Sequence, residues 1–185
     1  MRSSLMALLL LAAPLVALQP AAAQLRVDIT SGTEAPMPIA VPAFPTGASV
    51  PTAAGTTVEL GRQVAGIISA NLQGSGLFRP LAAGAFPAPG MADVQQPQFG
   101  AFRTAAAQAL VTGFVTANAN GTLTIGCYLY DVFSEEELMR QGFTVTPAGW
   151  RRAAHKCSDA VYSRLTGESG YFDSRIVYVA ESGPR

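Results

Sequence analysis

His155, Cys127, Cys157 and the run Glu135-Glu136-Glu137 are the first places in this 185-residue chain to look for chemistry. His155 is the single histidine, so any Ser-His-acid arrangement would have to use it as the base. It sits among Arg151, Arg152 and Lys156 on the predicted exposed face of a helix, where an ordinary surface histidine is expected. Ser75 lies between Gly74 and Gly76, but that triplet follows a helical pattern and works as a helix stop. No G-x-S-x-G elbow, P-loop or dinucleotide fingerprint occurs. The three glutamates are adjacent, which does not set two carboxylates across a scissile bond; a solvated tip is expected. Zinc needs more ligands than Cys127, Cys157 and His155 supply. The sequence therefore assigns no catalytic residue, no metal and no cofactor, and points to binding or scaffolding.

The cysteines depend on where the chain resides. Arg2 starts a short positive region, Leu5 to Leu18 is apolar, and Ala21-Ala22-Ala23 is an A-x-A cleavage site. Residues 1–23 are thus expected to be an export signal cut between Ala23 and Gln24. A retained membrane anchor fits less well, since the run contains Pro14 and is short for a span. In an oxidising compartment an even cysteine pair is expected to bridge. Two separate buried thiols remain the alternative, because free Cys packs as a small hydrophobe.

Twelve basic residues balance twelve acidic ones, and loss of Arg2 leaves eleven against twelve. Such a balance excludes a nucleic-acid footprint. The roughly 160 residues after the signal suit one domain with a sizeable core.

The elements follow in order. Leu25, Val27 and Ile29 alternate with Arg26, Asp28 and Thr30, the pattern of an amphipathic strand before a turn at 31–34. Pro36 to Phe44 is an apolar run punctuated by prolines, expected at a sheet edge or paired on one side only. Thr56 and Glu59 form a capping box for a helix with Val58, Gly61, Ala65, Ile68 and Leu72 on one face. Leu77 to Leu81 is a short strand, and Ala82 to Pro97 a loosely packed loop. Phe99 to Ala107 is a short helix. Ala109 to Thr116, Thr122 to Phe133 and Leu138 to Val145 are strands, the first buried on both faces and the second apolar on one. Thr146-Pro147 caps a helix running to about Leu165, with Trp150, Ala154, Cys157, Val161 and Leu165 on one face. If that helix covers the central hairpin, Cys127 and Cys157 share a layer. Gly170 to Ser174 is a linker, and Arg175 to Val179 one more strand.

These motifs together carry a resemblance. The Leu25 to Gly32 strand, Pro38 to Phe44, the helix end Asn71 to Phe78, Ser158 to Gly167 and the Arg175 to Val179 strand are similar to the N-terminal domain family of TolB, from the Tol-Pal system of Gram-negative bacteria. The resemblance implies an α/β fold, a mixed β-sheet packed by two main helices, ahead of a six-bladed β-propeller that this chain lacks. It implies residues 1–23 as signal peptide, 24–36 as partner-binding strand and turn, 37–167 as the domain, and 168–185 as linker and first propeller strand. In the family the N-terminal strand engages the C-terminal domain of TolA. Carried over, that contact falls on Leu25, Arg26, Val27, Asp28, Ile29, Thr30 and Ser31. The family's propeller carries the docking surface for Pal, so the resemblance implies no tight Pal site here. It also implies a non-enzymatic periplasmic role supporting outer-membrane integrity and constriction at division. Two other classes stay in view: an accessory domain activating peptidoglycan synthesis, and a small secreted hydrolase.

Overall fold

The computed structural model describes residues 35–174. The export signal with its Ala23-Gln24 cut, the Leu25 to Ser31 strand and the Arg175 to Val179 strand lie outside the described residues. In chain order the elements are β1 (Met37–Ala40), the two-residue strands β2 (Pro51–Thr52) and β3 (Gly55–Thr56), α1 (Thr57–Gly74) and β4 (Phe78–Pro80). There follow α2 (Phe99–Thr104), β5 (Ala109–Ala117), β6 (Leu123–Asp131), β7 (Glu137–Val145) and α3 (Trp150–Thr166). The main sheet is mixed, in the order β4-β1-β5-β6-β7. β1 pairs parallel with β4 and β5, while β5, β6 and β7 form an antiparallel meander.

β1 is thus an interior strand paired on both sides, against the expectation of an edge or of pairing on one side only. Pro36, Pro42 and Pro45 fall outside it, and only Pro38 lies within. The Pro38 carbonyl accepts from the Gln108 N–H at 2.9 Å, so its nitrogen faces the β5 side as well. β5 begins at Ala109, opposite Ile39, so no ladder acceptor stands across from that nitrogen. The proline sits just ahead of where a donor becomes necessary.

α1 starts as its sequence demands. The Thr56 side chain accepts from the Glu59 N–H, and the Thr56 N–H donates back to the Glu59 carboxylate at 2.9 Å. That backbone bond holds the Glu59 carboxyl below the usual carboxylate range. The buried face is Leu60, Gly61, Val64, Ala65, Ile68 and Leu72; Val58, expected on it, is exposed. Position 58 lies in the first turn, beside the β2-β3 hairpin rather than over the sheet. Gly61 is required where it is: the Phe44 N–H donates to the Gly61 carbonyl, and a Cβ there would collide with the Phe44 carbonyl oxygen.

α3 is preceded by a 3-10 turn, Pro147–Gly149, and Thr146 makes no side-chain capping bond. Its buried residues include Trp150, Ala154, Cys157, Val161 and Leu165, the predicted stripe, and Gly167 closes it in the left-handed conformation. Both long helices cover one face of the sheet, packing on Ile39, Val111, Val115, Leu123, Ile125 and Leu129.

The opposite face is covered by residues of the 82–107 segment. Phe86, Val94 and Phe102 bury against Ala40, Leu110, Tyr128, Tyr130 and Val132. The loop expected to be loosely packed is therefore a cover, and β6 is buried on both faces rather than one. On β5 the Thr112 hydroxyl is buried without a hydrogen-bond partner among the described residues.

Candidate protein-interaction site

Cys127 on β6 and Cys157 on α3 form a disulfide, with Cα atoms 6.0 Å apart. The bridge joins the sheet to the helix that covers it, as the two apolar faces predicted. Bridged sulfurs cannot act as nucleophiles or thiolate ligands. Among the described residues no group of three His, Cys, Asp or Glu side chains is placed to hold a metal.

His155 is half-buried at the seam between α1 and α3, not on an open surface. The Asn71 side-chain amide lies 2.9 Å from His155 Nδ1 and donates to Ser158 Oγ, also at 2.9 Å. Ser158 is buried and donates to the Ala154 carbonyl. An amide thus occupies the place an acid would need in a triad, and the cluster ties two helices together. Ser75 is likewise structural, donating to the Leu72 carbonyl and accepting from the Leu77 N–H. Glu135 and Glu136 are exposed, and Glu137 pairs with Arg140 through a 2.7 Å contact.

The predicted contact segment, Leu25 to Ser31, precedes the described residues, but its attachment point is fixed. Ala35 and Pro36 lead into β1, whose Met37 N–H donates to the Leu77 carbonyl. Ile39 and Ala40 are wholly buried between β4 and β5. A segment attached there starts from an interior strand of the sheet.

At the same end of the sheet stands the β6-β7 turn, since β6 runs antiparallel to β5. Asp131 Oδ1 accepts from the N–H groups of Phe133 and Ser134 at 2.7 and 3.1 Å. Arg103 clamps the turn from outside, 2.6 Å from Glu135 Oε1. Phe133 is left 62 % exposed on this turn. The sequence reading missed it by attending to the glutamates. Its signal was Asp131 placed two residues before an aromatic, the spacing of an Asx turn.

The phenol of Tyr130 donates to the Val94 carbonyl at 2.9 Å, pinning the irregular cover to β6. Burial, then the neighbouring Glu137 charge, pushes its pKa up to about 12.

The sequence matches the TolB amino-terminal domain family over residues 25–138. It is 60% identical over 161 residues to the Tol-Pal system protein TolB of Zymomonas mobilis subsp. mobilis, covering 87% of this chain and 35% of that protein. To the Tol-Pal system protein TolB of Rhizorhabdus wittichii it is 54% identical over 182 residues, covering 98% of this chain and 40% of the relative. The fold is similar to the crystal structure of TolB from Acinetobacter baumannii, with TM-score 0.57 and 25% identity over 80% of this chain and 32% of that one. The chain therefore spans 32% to 40% of the length of these relatives.

Proposed function

The chain belongs to the TolB amino-terminal domain family, and we propose on that premise that it acts as a non-catalytic protein-interaction component of the Tol-Pal system. Its setting is the periplasm, after removal of residues 1–23 at Ala23-Gln24. Residues 24–36 form the contact element, 37–167 the domain that presents it, and 168–185 the connection onward. Leu25 to Ser31 pairs with a free sheet edge in the C-terminal domain of TolA, adding a strand whose alternating side chains give specificity. Through that contact the chain supports outer-membrane integrity and constriction during division.

The observation that carries this reading is where the family match begins. It starts at Leu25, which supports reading the alternating segment as part of the family's own pattern. An interior strand as its anchor supports the same role, because a partner can then be engaged without disturbing the sheet. Deleting Leu25 to Ser31 is expected to abolish binding to the TolA C-terminal domain in calorimetry, while the circular dichroism spectrum and the disulfide persist. Undiminished binding would refute the assignment. No Pal contact is assigned to residues 24–167, because its docking surface in the family is the propeller.

A further inference from the structure

The sheet has two edges, and they are guarded very differently. β4 is three residues long and contains Pro80, which blunts it. β7 is nine residues long, contains no proline, and has no strand on its outer side among the described residues. Its charges, Glu137 and Arg140, pair with each other near its start. From Gln141 to Val145 the edge is uncharged.

Beside that stretch runs a groove between β7 and α3 of about 580 Å³, floored by Met139, Gln141 and Phe143. It continues past Gly142, Thr144 and Ala153 in a second depression of about 460 Å³. The wall is basic. Lys156 lines both depressions and enters no ion pair among the described residues. Arg164 spends its Nε on the Leu138 carbonyl at 2.8 Å, which leaves the remaining guanidinium donors to the groove. Asp159, the one carboxylate on the wall of the larger depression, already accepts from the Phe172 and Asp173 N–H groups with its two oxygens.

We propose that β7 and this groove bind an extended acidic segment of a partner protein, which joins the sheet as a strand beside β7. Side chains of an added strand would alternate between two surroundings. Those facing α3 meet Phe143 and Met139 below and Lys156 and Arg164 above. Glutamate suits that slot, its methylenes on the ring and its carboxylate at the cations. Those facing the other way pass Gly142, where a Cβ would meet nothing within 4 Å, so a β-branched residue has room. A second copy of the chain suits the groove poorly, because its own β7 would bring Lys156 and Arg164 toward their duplicates.

The test uses the full chain, isotope-labelled, and three peptides: blocked Glu-Val-Glu-Val-Glu-Val-Glu, the same peptide N-methylated at alternate residues, and the Lys-Val counterpart. The acidic peptide is expected to shift amides of residues 138–145 and 156–164, and to weaken with salt. N-methylation should remove binding, since it deletes strand donors while keeping charge. Lys156→Glu, alone and with Arg164→Glu, should weaken it by about tenfold or more; the single variant guards against loss of the Leu138 contact. Equal binding of the Lys-Val or N-methylated peptide, shifts confined elsewhere, or a β7-mediated dimer in sedimentation would overturn the proposal. So would tighter binding after deletion of Leu25 to Ser31, which would make the chain's own segment the occupant.

Discussion

The two faces of the sheet are covered by opposite means. On one, α1 and α3 lie as regular amphipathic helices over Ile39, Val111, Ile125 and Leu129, and a disulfide fastens α3 to β6. On the other, a largely irregular segment spreads Phe86, Val94 and Phe102 over Leu110, Tyr128 and Tyr130. The helices satisfy their own backbone groups, so their packing need only be apolar. The irregular cover must find partners one by one, as with Tyr130 to the Val94 carbonyl and Arg103 to the Val132 carbonyl. Regular secondary structure makes a cover cooperative; side-chain pins make it local.

Removing the bridge is the hardest blow to this contrast. Closing a 30-residue separation restricts the unfolded chain by roughly 3–4 kcal/mol in the entropy model. The Cys127→Ser, Cys157→Ser double variant should lose about that much in urea denaturation. A loss well under about 1 kcal/mol would mean that helix packing alone makes the front face secure.

A smaller effect belongs to the back face. Tyr130→Phe leaves the Val94 carbonyl without this donor and should cost about 1–2 kcal/mol at neutral pH. The wild-type protein should approach that state as pH rises. The Tyr130 phenol titrates near 12 in the folded chain against an ordinary 10.0, so folding favours its neutral form. Its contribution is complete below pH 10 and is lost as pH climbs through 12. Denaturation midpoints of the wild type should therefore fall toward those of Tyr130→Phe over that window. Parallel curves would show that the phenol does not pin the segment.

The mildest change should stabilise. Thr112→Val replaces a buried hydroxyl without a partner among the described residues by a methyl of similar shape. A gain of up to about 1 kcal/mol is expected in the same denaturation measurement. A loss would reveal a hidden partner for that hydroxyl.

The front face was the legible one. The capping box at Thr56 and Glu59, the stripe from Trp150 to Leu165 and the shared face of Leu123, Ile125, Cys127 and Leu129 are periodic signals, and each appears as predicted. Given a helix over the central hairpin, they put the two cysteines in one layer, where the bridge is found. The back face was not legible, because Phe86, Val94 and Phe102 follow no period and sit among Ala, Gly and Pro. Burial there is decided by tertiary contact. The same holds for β1, whose prolines argued for an edge until the register showed Pro38 clear of the β5 ladder. His155 was misplaced for a related reason: its partner, Asn71, is 84 residues away. The proposed partner-contact segment, Leu25 to Ser31, lies ahead of Ala35, outside the described residues.

Entry of the chain at β1 has a mechanical side. A pull arriving at Ala35 along the strand meets bonds to two neighbours at once, Met37 to Leu77 and Ile39 to Leu81 on one flank and Pro38 to Gln108 on the other. Because β4 and β5 run parallel to it, such tension slides the strand lengthwise, and these bonds resist together as in a lap joint. Had the chain entered at β7, the same pull could peel the margin one bond at a time. In the proposed role, a load borne by the segment ahead of Ala35 would meet this joint in shear.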